Sequence, residues 1–176
     1  MKIFNSKKEY GLLGKLFHWI TFLVLLLQVP FGFYLVGLEF SSERIELENI
    51  HILVGITVFY FTLFRLIWKF LNPRPKEWKS HFKGQALIAS ANHFLLYLTI
   101  FAITVSGILK KLYMGETLNF IFFKYGFEKD NFVLADTYYQ VHIYANYLLL
   151  VLVTLHILAV IVHHFIFKDK IIRKIT

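Results

Sequence analysis

The residues of this chain best suited to chemistry are its histidines. Eight histidines occur among 176 residues, and most of them lie within or beside long apolar stretches. An imidazole inside a bilayer is unfavourable unless it is paired or coordinated, so histidines at such positions indicate proton transfer or metal ligation. The residues in question are His18, His51, His93, His142, His156, His163 and His164.

The most informative spacing is that between His142 and His156. They are 14 residues apart, which is close to four helical turns, so both rings face one side of a helix, about 21 Å apart along its axis. That separation allows two flat macrocycles to be stacked inside a helix bundle. Imidazole is an axial ligand of haem iron, and the absence of cysteine excludes iron–sulfur clusters and covalently attached c-type haem.

Each iron then needs a second ligand at matching depth on a facing helix. His51 opens the second apolar stretch as His142 opens the fourth, so we expect these two to share an outer haem b. His18 lies just inside the opposite edge of the first stretch and is the expected partner of His156 for an inner haem b. His163, seven residues beyond His156 on nearly the same face, remains an alternative partner of His18.

Two further residues are candidates for cofactor contacts. His93 lies early in the third apolar stretch, where a hydrogen bond to a haem propionate, a hydrogen bond to a quinone and plain packing would each suit it. Arg65, near the end of the second stretch, is placed either to pair with propionates or to anchor that edge of the membrane.

The elements that must position these side chains are predicted transmembrane helices. The chain is 57% hydrophobic and only 17% charged, well to the apolar side of soluble proteins. Four stretches reach the roughly 20 apolar residues that span a bilayer as a helix, at about residues 16–38, 50–70, 87–109 and 139–167. We therefore expect an all-α integral membrane four-helix bundle that forms one domain over residues 1–176. Pro30 predicts a kink in the first helix.

The charge distribution predicts the orientation of this bundle. Fourteen of the 19 Lys and Arg residues flank the spans on the side of both termini, and five lie on the other side. By the positive-inside rule, both termini are cytoplasmic. The net charge of +8 is explained by this topology, so nucleic-acid binding is not expected. The aromatic loop at residues 113–137 is expected to lie at the outer membrane interface.

Several segments match a known family. They are Phe17-His18-Trp19, His51, the segment 64–75 that closes the second span, His93-Phe94-Leu95-Leu96-Tyr97, and His163-His164-Phe165 after His142 and His156. With these features the chain resembles the bacterial cytochrome b-561 family, over nearly its whole length. It also shares features with the cytochrome b subunits of nickel–iron hydrogenases and formate dehydrogenases.

The resemblance implies two non-covalent haems b with axial roles for His18, His51, His142 and His156, in the lipid of a bacterial inner membrane. It also implies electron exchange with a quinone, ubiquinone or menaquinone. Some members resemble superoxide oxidases, so superoxide and a redox subunit are both candidate one-electron donors. Two other functions stay open: a haem-binding anchor subunit of a larger dehydrogenase or hydrogenase, and a haem-free histidine proton relay or carrier.

Overall fold

The computed structural model describes residues 2–7, 9–73, 75, 80–169 and 171–175. Its helices are α1 (Leu12–Val36), α2 (Ser42–Leu71), α3 (Gln85–Tyr113) and α4 (Phe132–Phe165), with a two-residue hairpin of β1 (Leu118–Asn119) and β2 (Lys124–Tyr125) and a short 3-10 helix at Ile171–Lys174. Some basic residues behind the predicted orientation lie outside the described residues, namely Lys8, Arg74, Lys76, Lys79 and Lys170.

All four α-helices are long and apolar enough to cross a membrane. The shortest, α1, has 25 residues, which corresponds to about 38 Å against roughly 30 Å of hydrocarbon. The longest, α4, has 34 residues and extends beyond that layer. The prediction of an all-α, membrane-spanning four-helix bundle is confirmed.

Two of the helices begin well before the predicted spans. α2 starts at Ser42, where the Ser41 side chain accepts a hydrogen bond from the Arg44 backbone N–H. α4 starts at Phe132, capped in the same way by Asn131. Such caps satisfy backbone N–H groups that have no partner inside the helix. His51 therefore lies nine residues into α2 and His142 ten residues into α4, and the similar offsets keep the two histidines at matching depth.

Two prolines affect the backbone of the first two helices. α2 stops at Leu71, and Asn72 adopts extended backbone angles directly before Pro73, because the residue before proline is disfavoured in the helical region. Pro30 lies inside α1 and removes one backbone hydrogen bond there. The kink that this proline predicts stays a prediction.

The two ends of the bundle are different. At one end the Trp19 indole N–H donates to the Ile175 carbonyl (2.9 Å), and the loop before α3 contacts the segment after α4 through His81 and Asp169. We call this the termini end. The opposite end contains the α1–α2 connection and the antiparallel β1–β2 pair, and we call it the hairpin end.

The core lies midway between these ends. Val58, Ile100 and Leu149 are buried in one cluster, against which Leu25 of α1 also packs. Residues of all four helices contribute to this apolar layer, and α3 and α4 have the most extensive contact of any two helices. The middle of the bundle is therefore closed by hydrocarbon side chains, and the polar candidates lie above and below it.

Candidate functional site

A seven-residue spacing arranges the candidate residues in layers. Seven residues are close to two helical turns, so each step moves about 10.5 Å along a helix while staying on one face. The middle layer consists of Leu25, Val58, Ile100 and Leu149. Seven residues towards the hairpin end lie Gly32, His51, Gly107 and His142, and seven residues towards the termini end lie His18, Arg65, His93 and His156.

The hairpin-end layer brings His51 and His142 together. Their ring centroids are 6.3 Å apart. Each ring rests against a glycine of the neighbouring helix: a Cβ on Gly32 would lie 3.0 Å from the His51 ring, and a Cβ on Gly107 would lie 3.1 Å from the His142 ring. The absence of a side chain at these two positions therefore makes room for the imidazoles.

A hydrogen bond to the backbone orients the His142 ring, and a second hydrogen bond lies beside the His51 ring. His142 Nδ1 donates to the Ile103 carbonyl at 2.8 Å, which leaves Nε2 as the nitrogen with a free lone pair. Gln28 donates from Nε2 to the His51 carbonyl at 2.7 Å and so ties α1 to α2 beside the ring. His51 Nδ1 is buried without a hydrogen-bond partner, which is an unusual state for a buried polar atom.

A cavity adjoins these two histidines. It has a volume of about 420 Å³, within the usual size range of ligand pockets. Apolar side chains of all four helices form most of its wall. Charged side chains of both signs lie at its rim, namely Arg44, Glu48, Lys110, Lys111 and Asp136. The cavity thus combines an apolar body, two imidazoles and an edge of charged side chains.

The termini-end layer brings three histidines together. The His18 and His156 ring centroids are 6.3 Å apart, and those of His93 and His156 are 5.2 Å apart. His93 Nδ1 donates to the Ala89 carbonyl at 2.7 Å. Arg65 Nη2 donates to His18 Nδ1 at 3.0 Å, and its guanidinium lies 5.4 Å from the centre of the Tyr97 ring.

The ring separations discriminate between these histidines as ligand pairs. A nitrogen lies about 2 Å from a metal that it ligates and about 1.1 Å from the centre of its own ring, so imidazoles on opposite sides of one iron have centroids about 6 Å apart. The 6.3 Å separations of His51 from His142 and of His18 from His156 fit this value. The 5.2 Å separation of His93 from His156 is too short for it.

His163, the alternative partner of His18, uses both of its nitrogens elsewhere. Gln85 Oε1 accepts from the His81 backbone N–H at 2.7 Å, so Gln85 Nε2 is a donor, and it lies 2.8 Å from His163 Nε2. His163 Nδ1 must then carry the proton and donate to Asp169 Oδ2, at 2.7 Å. His81 Nε2 lies 3.0 Å from the same carboxylate oxygen.

The three groups His81, His163 and Asp169 also have a spacing that suits a metal ion, with ligand atoms within 4.8 Å of one another. A metal would need His163 Nδ1 without its proton, however, and Gln85 favours the opposite tautomer. The hydrogen bonds from His163 and then His81 lower the pKa of the Asp169 carboxyl. We therefore interpret the cluster as a polar tie between the loop before α3 and the segment after α4.

Sequence reasoning singled out the histidines and Arg65 but missed residues that position them. Gly32 and Gln28 were not identified, although a glycine inside a helix is disfavoured by about 1 kcal/mol and so calls for an explanation. The signal that would have found Gly32 is its distance of 14 residues from His18 on α1, which repeats the spacing between His142 and His156 on α4.

Comparisons with known proteins agree with the resemblance seen in the sequence. The family model described as prokaryotic cytochrome b561 matches residues 9–176. The chain is 26% identical to cytochrome b561 homolog 2 of Escherichia coli (strain K12), over 99% of this chain and 94% of that protein. It is 25% identical to the probable superoxide oxidase CybB of Yersinia pestis, over 93% of each, and 28% identical to cytochrome b561 homolog 1 of E. coli, over 87% of this chain and 88% of that protein.

Proposed function

Because the chain belongs to the prokaryotic cytochrome b561 family, whose members are membrane electron-transfer proteins, we propose that it moves single electrons through two bis-histidine haems b and exchanges them with the quinone pool. In this proposal His51 and His142 hold a haem at the hairpin end. His18 and His156 hold a second haem at the termini end. The partner quinone is ubiquinone or menaquinone.

The observation that carries the proposal is the equal separation of the two histidine pairs. Each pair has ring centroids 6.3 Å apart, which supports one metal between two imidazoles at each level. The middle layer of hydrocarbon side chains separates the two levels. Haem b would supply one-electron redox chemistry, while the protein would supply the ligating imidazoles and set the polarity around them.

Of the two histidine pairs, the one at the hairpin end needs less rearrangement to ligate a metal. The proton of His142 lies on Nδ1, where the Ile103 carbonyl accepts it, so Nε2 is free to ligate iron. Such a backbone acceptor fixes the tautomer and the orientation of a metal-ligating imidazole. Gly107 allows the ring to lie directly against α3.

At the termini end, ligation requires Arg65 to move. Arg65 donates to His18 Nδ1, so that nitrogen is unprotonated and the proton lies on Nε2. Ligation through Nε2 would need the tautomer with its proton on Nδ1, and that tautomer would leave Arg65 without an acceptor. We propose that Arg65 turns to a haem propionate, a planar acceptor that suits a guanidinium. His93 Nδ1 donates to the Ala89 carbonyl, so Nε2 of the neutral ring is an acceptor that suits the hydroxyl of a quinol. A bond from Nε2 to a propionate or to a quinone carbonyl would require the doubly protonated imidazolium.

A second candidate function is the oxidation of superoxide with transfer of the electron to ubiquinone. The likeness to the probable superoxide oxidase CybB and the presence of Lys110 at the rim of the hairpin-end cavity favour it. The acidic residues expected on that side of the membrane outnumber the basic ones, which weakens electrostatic attraction of an anion. If a soluble redox subunit co-purifies with the chain, the electron donor is a protein and the chain is an anchor subunit.

The test is a dithionite-reduced minus oxidised spectrum of the detergent-purified protein, with a pyridine haemochrome assay of haem per chain. We expect low-spin b-type bands and close to two haems. Substitution of His51, His142, His18 or His156 by Ala should each remove one haem. His164→Ala is the matched control, because His164 is exposed and contacts only Phe165 among the described rings.

The same assay compares His156→Ala with His163→Ala. If His156 is the ligand, only the first variant loses a haem, whereas the reverse result would assign the inner pair to His18 and His163. A protein that stays colourless after reconstitution with haem would overturn the proposal and favour a histidine proton relay.

A further inference from the structure

The rim of the hairpin-end cavity contains three basic side chains, two of which are neutralised within the chain. Lys111 Nζ lies 3.0 Å from Glu48 Oε2 and 2.7 Å from Glu116 Oε1, with its side chain only 10% exposed. Arg44 Nε lies 3.0 Å from the other oxygen of Glu48. The third basic side chain, Lys110, has a different environment.

Lys110 lines the cavity without a carboxylate partner. Its ammonium lies 4.9 Å from the centre of the Tyr139 ring, and no carboxylate of the described residues lies within 4.0 Å of it, including that of Asp136 in the same cavity wall. A partly buried cation against an apolar cavity is unfavourable without a counter-ion. Glu48 also lines the cavity, but it pairs with Lys111 and Arg44, so Lys110 is left without a carboxylate at ion-pair distance among the described residues.

The position of Lys110 relative to the histidine pair indicates which anion belongs there. Lys110 lies three residues beyond Gly107, where an added Cβ would lie 3.1 Å from the His142 ring, so it is about 4.5 Å nearer the hairpin end. The macrodipole of α3 explains a lysine in the last turn of that helix. It does not explain why, of two neighbouring lysines that line the cavity, Lys111 pairs with acids and Lys110 does not.

We propose that Lys110 binds a propionate carboxylate of the hairpin-end haem and is its counter-ion. The inference rests on the proposed function, because it requires a haem between His51 and His142. Propionates are unfavourable in hydrocarbon without a partner, so the charged end of the cavity, where Lys110 lies, is where they would be stabilised. The contact is a charge-assisted N–H···O bond, which is the stronger class of hydrogen bond.

The proposed contact affects two properties of the haem-bound protein, the midpoint potential and the retention of the haem. Loss of the ammonium leaves the propionate uncompensated, and negative charge beside a haem disfavours the added electron, so the midpoint potential of that haem falls. Loss of the contact also weakens haem retention. A charge-assisted bond of this kind corresponds to a change of roughly tenfold in the rate of haem loss.

The experiment compares Lys110→Gln and Lys110→Arg with a matched control, Lys129→Gln, in the detergent-purified holoprotein. Lys129 is exposed in the connection to α4, away from the cavity lining. The readouts are haem per chain, a redox titration that resolves the two haems, and the rate of haem transfer to apomyoglobin. For Lys110→Gln we expect a lowered potential of one haem only and roughly tenfold faster transfer of that haem, with both restored in Lys110→Arg.

If Lys110→Gln matches Lys129→Gln in potential and in haem transfer, the inference is overturned. It is also overturned if these two readouts are unchanged while only the reaction with superoxide slows and loses its salt dependence, because Lys110 then attracts a diffusing anion. A wild-type protein that binds no haem at the hairpin end would instead contradict the proposed function itself, before any lysine variant is compared.

Discussion

Single glycines decide whether the histidine rings fit. Gly32 and Gly107 lie inside helices, where glycine is less favourable than alanine by roughly 0.5–1 kcal/mol. Each of them faces an imidazole at a distance that leaves no room for a freely placed Cβ. The local cost in helix stability is therefore offset by the position of the ring, and we expect these glycines to control haem binding.

Gly107→Val tests this expectation at the residue scale. Valine adds a branched side chain where even a Cβ would lie 3.1 Å from His142, so the ring must turn and lose its bond to the Ile103 carbonyl. We expect haem per chain to fall from about two to about one in the pyridine haemochrome assay. Ala86→Val, which introduces the same side chain at an exposed position of α3, should keep both haems.

A Gly107→Val protein with two haems and an unchanged spectrum would contradict the assignment of the hairpin-end pair. It would mean that His142 ligates from another position or that it does not ligate. Circular dichroism of the same samples separates this outcome from a failure to fold, because loss of a single ligand leaves the helix content intact.

At the scale of the elements, much of the architecture was predictable from spacing. The 14-residue distance from His142 to His156 predicted two sites at different depths on one face of α4. In the structure the other three helices also have candidate residues seven positions before and after the middle layer. The helix starts were less predictable. Ser41 and Asn131 cap α2 and α4 in polar sequence outside the apolar stretches, where hydrophobicity carries no information on helix ends.

The surroundings of His163 were also beyond sequence reasoning. A helical wheel places His163 on nearly the same face as His156, and only the fold shows that Gln85 and Asp169 engage it. Asp169 follows the end of α4, and Gln85 is 78 residues away in the chain. Contacts between such distant segments depend on how the loops return, which no periodicity specifies.

The tie at Asp169 predicts a dependence on pH. Because hydrogen bonds from His163 and His81 lower the pKa of its carboxyl, the contribution of Asp169 is complete above the ordinary carboxyl pKa of about 4 and is lost as the pH falls through the lowered value. We expect hydrogen exchange at residues 166–169, corrected for the intrinsic rate, to rise in the wild type only under acid conditions. In Asp169→Asn it should be raised already at neutral pH.

Asp130→Asn is the control for this prediction, since Asp130 is exposed near the hairpin end and remote from the termini. If residues 166–169 are equally protected from hydrogen exchange in Asp169→Asn and in the wild type at neutral pH, the Asp169 tie does not stabilise this segment. The Trp19 bond to the Ile175 carbonyl would then be sufficient to hold the C-terminal segment.

For the whole molecule, the depth of the two levels determines what the protein can connect. His142 and His156 are about 21 Å apart along α4, and the hydrocarbon of a bilayer is about 30 Å thick. One histidine pair therefore lies near each face of the membrane. An electron carrier with this geometry links a reactant at one face with a reactant at the other, so its orientation decides which donor it can meet.

The orientation itself is a prediction, and the absence of cysteine makes it simple to test. We expect both termini in the cytoplasm, because the basic residues are concentrated on that side. In intact cells a membrane-impermeant maleimide should label Lys124→Cys, at the hairpin end, and should label Lys7→Cys only after the membrane is permeabilised. Both positions are exposed lysines, so the two variants are matched controls for each other.

The reverse pattern of labelling would change the functional argument as well as the topology. The cavity with Lys110 at its rim would then open to the cytoplasm, and superoxide formed outside that membrane could not be its donor. Arg65 and the Asp169 tie would face the outside. The family assignment would stand, but the hairpin-end histidine pair would lie near the cytoplasmic face and the termini-end pair near the outer face.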